Sequence, residues 1–460
     1  MVRSLPLVAV TSPTRRDVLR GLGGLAAGGT LAACGVPTES GEPAALGSSA
    51  PPSGAQARGE VTLWMRDDDL LKVFRTVVPA FNAKYPNVKV NLKGVDIATK
   101  LPPALVSGTG LPDGSFWEDD QIGQHADHLY DLSTLMSKYR ADTVQFKLDV
   151  LTHHGRLVGV PWDTDPGLLY YNDEVVTGAG IDPASLTDYD ALLAAARAIK
   201  GKNPKARPIP LEQDNTLSMM WYTMFLNQQQ GHGLVDASGN LTLDGEASRR
   251  ALTWIKAVVD EGLGARQKFA GTAQITMLDE GVISLVPWAQ WFIFIPQSGL
   301  KKTTGKWRVS SLPAWTKDGA RSGLMGGSSF VIPDKAKNPE LAWLFYEFAV
   351  YQPDGYRKVF SKNSVYPTGL NTLVPSVKSA LDPAKPLVDK LPQLGGVDNW
   401  AISTKAALEI PAGYTAPSWY GQAAKYLGVN IQRLMDGKMS VDEVIAKSMA
   451  DIKKNLIDRN

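Results

Sequence analysis

Val61-Thr62-Leu63-Trp64, then Leu70, Phe74, Val77, Val78 and Phe81, then Val88-Lys89-Val90-Asn91-Leu92: this stretch decides the fold. The first four residues read as a buried strand, and the next five recur at helical spacing. Asn82 to Asn87 ends the helix, with Pro86 as its stop. Val88 to Leu92 alternates as a second strand, and Ile97 to Ser107 reads as a second helix leading into Leu111-Pro112-Asp113. Strand, helix and strand in succession predict an α/β fold with a largely parallel sheet. In such sheets ligands bind beyond the carboxyl ends of the strands.

The residues at those strand ends share a composition. Trp64-Met65-Arg66-Asp67 follows the first strand, Phe116-Trp117-Glu118-Asp119-Asp120-Gln121 follows the Asp113 turn, and Trp162-Asp163-Thr164-Asp165 follows Val160-Pro161. Each offers a tryptophan beside carboxylates. A flat aromatic face stacks on the C–H face of a sugar ring while carboxylates accept from its hydroxyls. A tryptophan in the core and an acid at a helix N-terminus account equally well for any one of these sites; it is their threefold recurrence that favours a ligand site. The second half repeats the theme at Met219-Met220-Trp221-Tyr222, at Pro287-Trp288-Ala289-Gln290-Trp291 and at Trp419-Tyr420. Gly326-Gly327-Ser328-Ser329 precedes the strand Phe330 to Ile332, Asn338-Pro339 opens a helix, and Ser440 with Glu443 forms a capping box.

Upstream of this body the texture differs. Arg15-Arg16 precedes thirteen uncharged residues from Gly21 to Ala33, which end at Leu31-Ala32-Ala33-Cys34, and Cys34 is the only cysteine. A positive leader, a short apolar run and small terminal residues describe an export signal over 1–33. The run is too short to cross a bilayer, which takes about 20 apolar residues. Residues 34–59 are rich in Ser, Gly, Pro and Ala and read as a flexible tether. The leader's four arginines and one aspartate carry +3 of the +2 net charge, leaving the remainder at −1. A near-neutral body excludes the basic stripe of a nucleic-acid binder. His125, His128, His153 and His154 lack further ligands at metal-site spacing, so no metal and no cofactor are expected.

Leu-Ala-Ala-Cys resembles the lipobox of bacterial lipoproteins, in which the cysteine is lipidated and becomes the new N-terminus. The twin arginine resembles a Tat export signal, with Val18 where such signals usually have Phe. The body resembles the extracellular solute-binding proteins of carbohydrate ABC importers, the group that includes maltodextrin-binding protein. The resemblance runs from Val61 to Ile452. It is carried by Leu63-Trp64, Phe81 to Pro86, Leu111-Pro112-Asp113, Gly159 to Asp163, Leu169 to Glu174, Met277 to Gly281, Pro287-Trp288, Gly326-Gly327-Ser328, Lys337 to Ala342 and Gly437 to Glu443.

That resemblance implies a type II periplasmic-binding-protein fold: two α/β lobes, discontinuous in sequence, joined by a hinge. Lobe one would be 60–165 plus 325–370, and lobe two 166–324 plus 371–460. It implies a monomer that captures a sugar between the lobes and delivers it to membrane permease subunits, tethered by lipid on Cys34. Trp117 and Asp120 match a stacking tryptophan and a hydroxyl-binding aspartate, Gln121 stands where that relative has an arginine, and Asp165 where it has a glutamate. Trp288 matches a stacking tryptophan, Trp419 or Tyr420 the late aromatic, and Trp221 lies near Ser218, which replaces a stacking tyrosine. With Trp64, Arg66, Asp67, Trp162, Asp163, Trp291, Gly327 and Ser328 these are the candidate ligand-binding residues. Three rivals remain: a polyamine-binding relative, favoured by Asp67-Asp68-Asp69 and Glu118-Asp119-Asp120; a receptor feeding a membrane sensor; and a glycoside hydrolase using Asp119 and Asp163.

Overall fold

The computed structural model describes Ala45 and residues 54–458. The export signal, Cys34 and most of the tether lie outside the described residues. Strand β1 (Arg58–Arg66) starts within the stretch expected to be tether, because Arg58 and Gly59 already pair with Asn87 and Val88. Helix α1 (Asp69–Lys84) follows, capped by Asp68, whose Oδ1 accepts from the Leu70 N–H at 2.9 Å. Its buried face is Leu70, Leu71, Val73, Phe74, Val77 and Phe81, as the periodicity predicts. Then come β2 (Asn87–Val95), α2 (Ile97–Ser107) and β3 (Gly114–Glu118).

The chain continues through β4 (Val160–Pro161) and β5 (Asp163–Thr164) into a second body. This holds β6 (Gly167–Asn172), β7 (Ile209–Glu212), α3 (Asn215–Gln230), β8 (Gly264–Gln267), β9 (Leu285–Ala289) and β10 (Trp307–Ser311). Strand β6 lies between β9 and β10, antiparallel to both, while β7 and β8 pair in parallel. The chain then returns as β11 (Ser328–Val331) and α4 (Pro339–Tyr351), crosses again at β12 (Val374–Pro375), and ends in α5 (Val441–Ile452).

The returning strand changes the expected sheet. Its order is β2-β1-β3-β11-β4. Strands β2, β1 and β3 are parallel, but β11 runs antiparallel to β3 and to β4. A right-handed helical crossover would force a parallel strand. Here β11 arrives from the other lobe with no such crossover. The sheet is therefore mixed, and β11 brings Ser328 opposite Glu118 and Ser329 opposite Trp117.

Two carboxylates show how loops are fixed. Asp113 accepts from the Thr62 N–H and the Asn338 N–H, both at 2.8 Å, so it ties β1 to the start of α4. The Asn338 side chain turns to Asp113 as well, at 3.4 Å, and does not cap α4 itself. The capping box at Ser440 and Glu443 forms as its spacing predicts.

The first lobe's core is aromatic. Phe74 packs edge-on against Trp162 and Phe330, each at 5.4 Å, and Phe330 stacks on Tyr346 at 4.4 Å. Phe74→Ala should cost about 3–5 kcal/mol, the range for an aromatic removed from a core. A urea titration giving a loss below about 1 kcal/mol, the midpoint shift multiplied by the m-value, would show the site to be loosely packed.

Candidate functional site

Three chain segments run side by side where the lobes meet. β5 pairs with β12, Pro166 bridges to Leu324, and the Gly167 N–H donates to the Gly323 carbonyl at 2.7 Å. A cleft of about 750 Å³ opens there. That volume lies within the range of small-molecule sites. Its first wall carries Arg66, Asp68, Asp69, Phe116, Glu118, Asp120 and Gln121; its floor carries Asp163, Asp165 and Gly326 to Ser328. Across from them stand Thr216, Met220, Trp291 and Phe294, with Tyr366, Thr372 and Leu373 at one end.

The floor is a polar network. Ser328 donates to Asp163 Oδ1 through its backbone N–H at 2.6 Å and its hydroxyl at 2.7 Å. The Gly327 N–H donates to Asp165 Oδ2 at 2.8 Å. Behind them the Lys147 ammonium, wholly buried, pairs with the Asp119 carboxylate and donates to the Ser328 carbonyl at 2.9 Å. Ser329 donates its hydroxyl to Asp119 at 2.6 Å. Both glycines are required here. Gly326 and Gly327 have φ of 110° and 105°, and a Cβ on them would lie 2.7 Å from Asp165 Oδ2 and 2.8 Å from Asp119 Oδ2.

The carboxylates outnumber the cation that meets them. Burial pushes the Asp163 carboxyl up to about 6, against the pull of Lys147 and of the bonds from Ser328. Burial and the charge of Asp163 hold Asp165 well above the carboxylate range. Asp120 is part-buried; desolvation raises its carboxyl to about 7, with Gln121 opposing and Glu118 and Asp119 adding. On the first wall Arg66 holds Asp68 at 2.9 Å and Glu118 at 3.5 Å, its guanidinium over the Phe116 ring at 5.4 Å.

Of the residues expected in the site, Arg66, Asp120, Gln121, Asp163, Asp165, Trp291, Gly327 and Ser328 line the cleft. The others lie elsewhere, and strand parity explains Trp117. Successive side chains of a strand face opposite ways. Phe116 and Glu118 face the cleft, so Trp117 between them is turned inward, where it is buried and stacked on His125 at 5.5 Å. Trp162, next to Asp163, is buried between Phe74 and Phe330. Trp64 packs part-buried against the core, on the opposite strand face from Val61, Leu63 and Met65. Trp288 is buried and lies parallel to Phe269 at 5.3 Å, and Trp221 donates its indole N–H to the Pro287 carbonyl at 2.8 Å. The stacking expected of Trp117 and Trp288 therefore has no face free in this arrangement. Trp291, the part-buried cleft tryptophan, donates to the Met325 carbonyl at 3.2 Å.

Three more expectations are displaced. Asp67 is exposed and sits against Gly94, while its neighbours Asp68 and Asp69 reach the cleft. Trp419 is buried, and Tyr420 shares a hydrogen bond of 2.9 Å with Thr223 in a small cavity behind the cleft. Asp119 is engaged by Lys147, so it is not free for the acid–base role considered for it. Sequence reasoning missed Lys147, Phe294, Tyr366 and Thr216. Only Lys147 left a trace, as a lone cation between Phe146 and Leu148. Among the described residues no group of three or more potential ligands could hold a metal ion.

A two-lobed mixed α/β fold with a polar cleft at the crossing defines a solute receptor by shape, and the comparisons agree. The profile described as bacterial extracellular solute-binding protein matches residues 68–350. The chain belongs to that family. It is 24% identical over 329 residues to the arabinooligosaccharide-binding protein of Bacillus subtilis (strain 168), covering 67% of this chain and 73% of that one. It is also 24% identical over 328 residues to a lactose-binding protein from Rhizobium radiobacter, covering 67% and 75%. Among solved structures it is similar to the sugar-binding protein MalE from Xanthomonas citri: TM-score 0.71, 20% identity, 87% of this chain and 98% of that one. The fold is thus that of the two-lobed periplasmic binding proteins.

The raised carboxyls fix a sign for pH. A folded state that holds its protons more tightly than the unfolded chain loses stability as pH rises. For Asp120 the loss runs from the ordinary carboxylate range up to about 7 and stops above it. Asp120→Asn removes that share. Its melting temperature should match the native protein near the acid end of this window and exceed it at pH 8. Calorimetry at both pH values checks this, and a constant difference would refute it.

Proposed function

We propose that this chain is the substrate-binding lipoprotein of an ABC importer, taking up a sugar or oligosaccharide in the interlobe cleft and handing it to a membrane permease. The observation that carries the reading is the cleft itself: aromatic side chains of Phe116, Trp291, Phe294 and Tyr366 beside hydrogen-bonding carboxylates, at the crossing of two lobes. Carboxylates accept from sugar hydroxyls and aromatic faces cover C–H surfaces. Relatives named for arabinooligosaccharide and lactose binding support the ligand class. No chemical step is needed, and the protein acts by binding alone.

Lobes 60–165 plus 325–370 and 166–324 plus 371–460 would turn as bodies about the three crossings. Ligand affinity for the closed arrangement drives that turn. The protein acts as a monomer, with Cys34 carrying the lipid that keeps it at the extracytoplasmic face of the cell membrane. An export signal carrying the twin arginine Arg15-Arg16 takes it there, by the Tat or the Sec route.

A thermal-shift and calorimetry panel of neutral saccharides and polyamines tests the ligand class. A bound saccharide at 100 times its Kd stabilises by about 2.7 kcal/mol. Stabilisation by spermidine or putrescine alone would replace the sugar reading with the polyamine one. Trp291→Ala should weaken saccharide binding by about tenfold or more, a step of about 1.4 kcal/mol, while the free protein keeps its circular dichroism. Cys34→Ser should release the protein from the membrane fraction into the soluble one; full retention on membranes would reject the lipid anchor.

A further inference from the structure

Asp165 is 5% exposed, lines the cleft, and leaves its Oδ1 with no partner among the described residues. Its other oxygen is taken by the Gly327 N–H. An unpaired buried carboxylate oxygen is costly, and a ligand donor is the natural way to satisfy it. The surroundings decide which donor. Asp163 and Asp120 line the same cleft, and Asp163 takes both of its bonds on one oxygen, from uncharged Ser328 donors. Two cations stand near, and both are engaged: Lys147 with Asp119 and the Ser328 carbonyl, and Arg66 with Asp68 and Glu118. The remaining acids of the wall have partners of their own: Asp68 and Glu118 meet Arg66, and Asp69 meets Lys72 at 2.7 Å. Closing the lobes would drive water from Asp120, Asp163 and Asp165 and make it costly to ionise any of them unless a cation enters with the ligand.

We propose that the cleft is built for saccharides that carry a free amine, with an ammonium seated against Asp165 Oδ1 and balanced by Asp120 and Asp163. This rests on the sugar-binding reading above and narrows it. A neutral sugar hydroxyl would fill the hydrogen bond and leave the acids without a cation. An ammonium does both, through a charge-assisted bond that is shorter and stronger than a neutral one. Ring stacking on Trp291 and Phe294 is the same for either, so the difference between them is electrostatic.

Matched pairs differing at one group test it: glucose against glucosamine, galactose against galactosamine, and cellotriose against fully deacetylated chitotriose, titrated by calorimetry into the intact protein. In every pair that binds, the amine should bind at least about tenfold tighter. Asp165→Asn keeps an acceptor for the Gly327 N–H and removes the charge, so it should bring the ratio close to one. Equal or weaker binding of the amine overturns the inference and leaves the sugar reading standing. Failure of every pair and of every neutral saccharide, with or without putrescine binding, counts against the sugar reading and removes this inference with it. An unchanged ratio in Asp165→Asn, with the variant folded, moves the ammonium away from Asp165 and overturns the assignment.

Discussion

The ion pair between Lys147 and Asp119 is the constraint that the cleft depends on. Both side chains are buried, where an isolated charge would be prohibitively costly. The pair survives because both partners make further hydrogen bonds. Lys147 also donates to the Ser328 carbonyl, and Asp119 also accepts from Ser329. The backbone adds a third link, from the Asp119 N–H to the Gly327 carbonyl at 3.0 Å. The result is a clamp between the end of β3 and the start of β11, two segments some two hundred residues apart in the chain. An apolar pair of similar volume would leave the Ser328 carbonyl without its lysine donor, so packing alone could not hold this junction.

That clamp explains where the cleft lies. By fixing Gly327 to Ser329 it presents two successive backbone N–H groups to Asp163 and Asp165. The glycines let the backbone approach that closely, since a Cβ on either would collide with a carboxylate. Regular sheet pairing ends at the same place: β5 and β12 are two residues long, and Pro166 meets Leu324 only as a bridge. Short pairing marks all three crossing segments, and positive φ marks one of them, at Gly326 and Gly327. The polar floor of the cleft thus lies where the three crossing segments run together.

The fold was legible in the sequence and the cleft only partly so, for a definite reason. Helical spacing in Leu70 to Phe81 and the capping box at Ser440 are local signals, and both stand. Strand direction is not local: β11 runs antiparallel because of where the chain has been, which no window of sequence contains. Side-chain facing falls between these. Acids from the three strand ends line the cleft, while of the tryptophans beside them parity turns Trp117 inward and Trp162 packs into the aromatic core. A one-residue shift along a strand reverses its face, and a strand end gives no pattern long enough to set the phase. Lys147 was missed because a charge inside an apolar helix says only that it is buried, and its partners lie 28 and 181 residues away.

The same lysine that orders the floor cannot neutralise it. Its attraction lowers the cost of Asp163 and Asp165, but burial outweighs it and leaves both carboxyls raised. A chain selected for stability alone would replace Asp165 with a group that needs no second partner. Local rules broken without local compensation are characteristic of functional sites. Asp165 breaks such a rule where two lobes close on a ligand, and the donor missing from the free protein is one the ligand can bring. Stability withheld from the open form then becomes affinity in the closed one, because the two states differ in whether that oxygen is paired.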